Sequence, residues 1–161
     1  MLFIAFDQAT NTTGYSVFLN RELLKFGKFT KTGSNEFYKF SAQIEEITNV
    51  INEYTEKYPK EKLKIILEDI QMQANVTTFK TLARLQGAIG TRIIETYPQA
   101  EMVFISSSTW KSFAQIKGRG RTEQKRNAQK KVEELFGVKV TQDEADALLL
   151  GYQSSHSEIN W

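Results

Sequence analysis

The stretch MLFIAFDQATNTTGYSVFLNRELLKFGKFT, residues 1–30, decides the fold. It contains three runs with strand character. Residues 2–7 are almost wholly apolar and end on an acid, Asp7. Residues 14–19 alternate, with Tyr15, Val17 and Leu19 on one side, and residues 23–30 follow the short turn Asn20-Arg21-Glu22. Short apolar or alternating runs separated by a few turn residues predict strands joined by tight connections, hence an antiparallel meander.

Beyond residue 30 the period changes. Phe37, Phe40, Ile44, Ile47, Ile51 and Tyr54 recur at helical spacing, which predicts an amphipathic helix of about 20 residues that stops before Pro59. Residues 63–67 form a nearly continuous apolar run, as expected of a strand covered on both faces. A second long helix opens at Asn75 or Val76 and ends near Tyr97-Pro98, with a stripe through Phe79, Leu82, Ala83, Gln86, Ile89, Gly90 and Ile93. Gly87, Ala88 and Gly90 lie close together on it. Glycine inside a helix costs about 1 kcal/mol relative to alanine, so another backbone should approach there, either the chain's own sheet or a second copy. Residues 101–105 read as a fifth strand. Ser106 to Thr109 offer caps for a short helix through Phe113. Residues 117–121 form a basic loop, and residues 122–136 a helix with Thr122 as cap and Gly137 as stop. Thr141 and Glu144 match a capping box at the start of the last helix. Residues 1–154 then make a single domain, and 155–161 a frayed tail.

The order is a three-stranded meander, then helix, strand, helix, strand and helices. It predicts an α/β domain: a mixed five-stranded sheet in which parallel strands extend the meander, flanked by helices. This order resembles the RNase H-like fold.

The chain has 161 residues, 40% hydrophobic and 25% charged, with no cysteine and one histidine, His156. Disulfides and thiolate metal sites are excluded, and a histidine zinc site is not expected. No run approaches the roughly 20 apolar residues that cross a bilayer, and the N-terminus lacks the basic lead of a signal peptide. A cytoplasmic location is expected. The net charge of +2 is unevenly spread. Lys111, Lys117, Arg119, Arg121, Lys125, Arg126, Lys130 and Lys131 lie between Ser106 and Lys131, opposed only by Glu123. Such a patch is the footprint of a polyanion, although a lysine-rich helix alone is more often a solvated face.

Four acids point to chemistry. Asp7 and Glu68 each end an apolar strand, and Asp143 and Asp146 stand three apart on one helix face. Strand-end acids on their own are usually turn residues, and the first turn of a helix welcomes an anion such as Asp143; neither reason covers Asp146, which leads into Ala-Leu-Leu-Leu. Asp69 lies on the opposite strand face from Glu68, and Glu144 serves its cap. The predicted topology brings both strand ends and the helix start to one edge, an oxygen-only site for hard divalent cations. Two Mg²⁺ ions about 3.5–4 Å apart would suit phosphodiester hydrolysis there, with Mn²⁺ able to substitute.

The motifs carry a family resemblance. Asp7-Gln-Ala-Thr-Asn-Thr-Thr-Gly14-Tyr15 is similar to the first motif of the RuvC-type Holliday junction resolvases, Leu67-Glu68-Asp69-Ile70 to the second, and Asp143-Glu-Ala-Asp146-Ala147-Leu148 to the last. The resemblance runs through essentially the whole chain. It implies a catalytic, metal-binding tetrad of Asp7, Glu68, Asp143 and Asp146, with Lys111 and Lys125 near the scissile phosphate. It also implies a homodimer through the helix at about 76–97, and cleavage of four-way or other branched DNA to 5′-phosphate and 3′-hydroxyl ends. Lys117, Arg119, Arg121 and Arg126 join Lys111 and Lys125 as expected DNA-backbone contacts. Two departures stand out. Gln8 and Ala9 replace the family's usual Pro-Gly, and Gln71 stands where bacterial members often carry a base-contacting phenylalanine. They fit a divergent, phage-borne member with broader branched-DNA activity. Two other readings stay open: an RNase H-like nuclease on RNA–DNA hybrids, and an actin- or sugar-kinase-like nucleotide-binding domain whose phosphate loop is residues 7–14. Trp110 and Phe113 fit a packed short helix better than base-stacking platforms, and His156 fits a solvated tail better than proton transfer.

Overall fold

The computed structural model describes residues 1–72 and 74–157. In chain order the described elements are β1 Leu2–Gln8, β2 Thr12–Leu19, β3 Glu22–Thr30, α1 Glu36–Lys57, β4 Leu63–Asp69, α2 Val76–Thr96, β5 Glu101–Ser106, α3 Ser107–Phe113, α4 Arg121–Phe136 and α5 Gln142–His156. The strands form one sheet in the order β3-β2-β1-β4-β5. β1–β2 and β2–β3 are antiparallel, whereas β1–β4 and β4–β5 are parallel. Short turns suffice for the meander, while β4 and β5 each follow a long helix, the crossover that parallel pairing requires. The carboxyl ends of β1, β4 and β5 therefore share one edge of the sheet.

Helices cover both faces, which explains the unbroken apolar runs of β1 and β4. On one side Leu2, Ile4, Phe6, Ile65 and Leu67 pack with Ile47 and Ile51 of α1 and Leu85 and Ile89 of α2. On the other, Phe3, Ala5, Phe18 and Ile66 pack with Trp110 of α3, Val132 of α4 and Leu148 of α5. Strand alternation then assigns the acids. Asp7 follows Phe3 and Ala5 toward α5, and Glu68 follows Ile66 to the same side, leaving Asp69 on the face of α1 and α2.

Contact between α5 and β2 is unusually close. Asp143, Ala147 and Gly151 recur every four residues on α5, and they meet Gly14, Ser16 and Phe18, which alternate on β2. A Cβ added to Gly14 would lie 2.2 Å from the carbonyl oxygen of Asp143 and 3.1 Å from Cβ of Ala147. One added to Gly151 would lie 2.3 Å from Oγ of Ser16 and 2.8 Å from the Phe18 ring. Between those glycines the Ser16 hydroxyl donates to the carbonyl of Ala147 at 2.7 Å.

Three local expectations are corrected. α4 begins at Arg121 rather than at a Thr122 cap: Gly120, at φ 93, turns the chain into the helix without a side-chain cap, and Glu123 accepts from the backbone N–H of Arg119 at 2.7 Å. The last helix runs through positions 155 and 156, which had been expected in a frayed tail. Ser155 is buried and its hydroxyl donates to the carbonyl of Gly151 at 2.9 Å; residues 158–161 of that expected tail lie outside the described residues. His156 likewise is no solvated tail residue, since its ring packs at 4.4 Å from that of Tyr152 and edge-on to Phe18. Among the described residues, no helix is long and apolar enough to cross a membrane.

The α5–β2 contact predicts the sign and rough size of two glycine substitutions. Gly151→Ala should lower the unfolding free energy in urea titrations by about 1–3 kcal/mol, the usual cost of overpacking. Gly33→Ala, where an added Cβ meets nothing within 4 Å, should stay within about 0.5 kcal/mol of the parent.

Candidate active site

Sheet register aligns the site before any side chain is considered. Asp7 of β1 pairs with Gly14 of β2, and Gly14 pairs with Lys28 of β3. These three positions share a row and a face, and the start of α5 lies against Gly14. Asp143 and Asp146 thereby come down beside Asp7, with Glu68 supplied by the neighbouring parallel strand. All four acids line one hollow of about 180 Å³. Glu68 and Asp146, with Arg121 and Lys125, are shared with an adjoining hollow of about 340 Å³ that adds Lys111 and Trp110.

Each acid is held differently. The strand end at Glu68 is pinned through its backbone: its carbonyl accepts from Nε2 of Gln8 at 2.7 Å and from Nε2 of Gln86 at 2.8 Å. Its side chain accepts, at Oε2, from the indole N–H of Trp110 at 2.8 Å. Asp143, the more exposed of the helix pair, lies 3.6 Å from the Lys28 ammonium. Glu144 turns away and closes the capping box, accepting from the backbone N–H of Thr141 at 2.8 Å.

The electrostatics are those of crowded, partly dehydrated carboxylates. Burial above all pushes the Asp7 carboxyl well above the ordinary range; Glu68, Asp146 and Asp143 push it further, and Lys125 opposes them. Burial also raises Glu68, against the pull of the Trp110 hydrogen bond and Lys111. Asp146 is pushed up to about 6, again mainly by burial, with Lys111 and Lys125 opposing. These are the expected responses of anions to lost water and like-charged neighbours. A divalent cation would reverse both penalties.

In ligand chemistry the donor set fits such a cation: four carboxylates, all oxygen, from two strands and one helix. The oxygens are not drawn together, however. Among the described residues no group of three or more acidic, histidine or cysteine side chains is clustered tightly enough to hold an ion as it stands. Mutual repulsion, the Trp110 bond to Glu68 and the Lys28 pairing with Asp143 give the physical reason. Small side-chain rotations would have to gather them.

The expected DNA contacts divide into groups. Lys111, Arg121 and Lys125 line the hollows beside the acids. Lys117 lies instead at a separate hollow of about 200 Å³ with Lys130 and Lys131. Arg119 and Arg126 are exposed and line none of these hollows. Gln71, also exposed, stands at the rim of the acid hollow. Phe113 packs edge-on against Tyr152 at 5.5 Å. His156 closes the far end of α5, about 20 Å along the helix from Asp143, so it takes no part at the acid cluster. Lys28 escaped the sequence reading, though strand register could have found it once the meander was drawn. The contact between Trp110 and Glu68 had no sequence signal at all.

The family model for crossover junction endodeoxyribonuclease RuvC matches residues 3–152. Among solved structures, the chain is similar to T. thermophilus RuvC in complex with Holliday junction substrate, with TM-score 0.71 and 12% identity over 99% of this chain and 97% of that one. A further Thermus thermophilus RuvC structure gives TM-score 0.66 and 14% identity over 94% and 92%. The yeast mitochondrial Holliday junction resolvase Ydc2 gives TM-score 0.56 and 14% identity over 95% and 78%. No curated protein matches the chain.

The raised carboxyl of Asp146 has a consequence for stability. A carboxyl whose folded-state pKa lies above its unfolded value contributes stability below the unfolded value, near 3.8, and that contribution is lost as pH rises through about 6. In EDTA at pH 7.5, Asp146→Asn should therefore raise the unfolding free energy, by up to about 3 kcal/mol. The gain should fade as the pH drops toward 4. Thermal melts of parent and variant across that range measure it.

Proposed function

The chain belongs to the RuvC family of crossover junction endodeoxyribonucleases, and we propose that it cuts Holliday junctions and other branched DNA at the hollow formed by Asp7, Glu68, Asp143 and Asp146. The observation carrying this reading is the convergence of those four acids, from β1, β4 and α5, on one hollow flanked by cations. The T. thermophilus relative is described with a Holliday junction substrate, and its chain is matched nearly end to end. The family match across residues 3–152 leaves the nucleotide-binding kinase reading without support.

In this mechanism the four carboxylates hold two Mg²⁺ ions, for which Mn²⁺ can substitute. When bound, such ions supply positive charge at the phosphate and an acidified water. Asp7 is the central ligand, being the most crowded of the four by its neighbours. Glu68 of β4 and Asp143 and Asp146 of α5 would complete the set. Lys111, Arg121 and Lys125 bind and orient the phosphate, while Lys117, Arg119 and Arg126 hold the flanking backbone. Contacts of this kind position the DNA without reading its sequence. Hydrolysis leaves 5′-phosphate and 3′-hydroxyl ends.

A homodimer would place two such sites on one junction. α2 offers a surface for it. Val76, Ala83, Gly87 and Ile94 are exposed and fall within about 20° of one line along the helix, and an added Cβ at Gly87 would meet nothing within 4 Å. Gly90, by contrast, is buried toward the sheet, where an added Cβ would make an ordinary 3.6 Å contact with the methyl of Met102. Of the two glycines, Gly87 is the one that leaves room for a partner helix. Gly87→Arg should convert a dimer to a monomer in light scattering.

The nuclease proposal is tested by Asp7→Asn and Asp146→Asn in Mg²⁺, assayed side by side on a four-way junction and an RNA–DNA hybrid. Junction cleavage should fall to background in both variants while junction binding in EDTA survives. Undiminished cleavage by either variant, or faster turnover of the hybrid by the parent, would remove this reading. Binding should weaken with salt at a log–log slope of about −0.9 per phosphate neutralised on duplex arms.

A further inference from the structure

Trp110 is almost wholly buried, at 1% exposure, in the core under α3. A buried indole must find an acceptor for its N–H, and most do so at a backbone carbonyl or a neutral side chain. Here the acceptor is a carboxylate oxygen of Glu68, at 2.8 Å. Hydrogen bonds to an ionised acceptor are shorter and stronger than neutral ones, so the bond fixes the rotation of that carboxylate as well as its place. The ring has a second contact. The Lys111 ammonium lies over it, 5.3 Å from the centroid, although adjacent helix residues do not ordinarily face each other. One ring thus touches both an acid of the hollow and a cation of its rim.

We infer that Trp110 is a positioning residue for the cation site: its N–H occupies one oxygen of Glu68, leaves the other as a single-oxygen ligand, and seats Lys111 beside the bound phosphate through its ring face. The inference rests on the nuclease reading of the hollow. A partner that orients a ligand from behind typically changes metal affinity by about 10- to 100-fold when removed. The contact also accounts for the carboxylates standing apart, because Glu68 is fixed from its outer side before any ion arrives.

The test uses the full chain without DNA, with Mn²⁺ binding followed by electron paramagnetic resonance. Trp110→Phe keeps an aromatic face for Lys111 but removes the indole N–H. Mn²⁺ affinity should fall about 10- to 100-fold, while the variant stays folded, with melting lowered only by the smaller buried ring, and junction binding in EDTA stays close to the parent; a merely structural role would lower junction binding as well. Parent-like Mn²⁺ affinity in the folded variant overturns the inference and leaves the nuclease reading standing. Absence of Mn²⁺ binding by the parent itself overturns both. Should Trp110→Phe not fold, Trp161→Phe leaves Trp110 as the only indole. Its emission should then shift on adding Mg²⁺, and that shift should vanish with Asp7→Asn; an emission indifferent to Mg²⁺ overturns the inference.

Discussion

The site depends on how closely one helix can lie on one strand. Asp7 and Asp146 are separated by most of the chain, and neither has a local reason to meet the other. They meet because α5 rests on β2 at near-backbone distance, where Gly14, Ser16, Ala147 and Gly151 leave no side chain thick enough to hold the helix off. Raising α5 by the width of one methyl group would move the carbonyl of Asp143, and with it the first turn that carries both helix acids. The register Asp7–Gly14–Lys28 places this closest approach directly beside Asp7 on β1. The same small residues that make the core tight are thus what bring the acids together.

That gathering is electrostatically unfavourable. Three of the four carboxyls are pushed upward, chiefly by burial, and their neighbours add to the effect. The fold meets the cost with cations placed at the rim: Lys111, Arg121 and Lys125 along the hollows, and Lys28 against Asp143. Arg121 and Lys125 reach the hollow that holds the four acids, and Lys125 opposes the upward push on Asp7 and Asp146. Repulsion at the centre with compensation at the margin is the setting in which the proposed divalent cation, with its preference for oxygen ligands, would relieve the crowding. Lys111, Arg121 and Lys125 line the hollows, where a phosphate held beside the acids could use them.

Much of this was legible in the sequence, for identifiable reasons. The meander and the crossovers follow from short turns against long helical patterns. Glu68 could be chosen over Asp69 because strand alternation forces them apart, and Asp143 and Asp146 could be paired because helical spacing forces them together. What was hidden depends on distance rather than period. Thr122 looked like a cap, yet Gly120, with positive φ, takes the N-cap position two residues earlier. Residues 155 and 156 looked like a tail because serine and histidine are polar, yet a serine hydroxyl that returns its proton to the preceding turn can be buried. The Trp110–Glu68 contact crosses from β4 to α3, and neither periodicity nor composition registers such a pair.

The fold also separates what is rigid in the site from what is adjustable. Asp7 and Glu68 stand on the two central parallel strands, and the end of β4 is further tied by two glutamine side chains. Their backbone positions cannot shift without breaking the sheet. Asp143 lies at the opposite extreme, half-buried, in the first turn of α5, and paired at 3.6 Å with a lysine it can exchange. In the proposed mechanism, cation capture would be closure from one side: the two strand acids would stay in place and the helix acids would turn in toward the ion. The close α5–β2 contact sets how far that turn has to go. A rigid pair alone would favour whatever ion fitted its spacing, and a mobile set alone would pay for its order at every binding event. The combination confines the adjustment to side-chain torsions at one helix end, where dense packing beneath Ala147 and Gly151 keeps the backbone fixed.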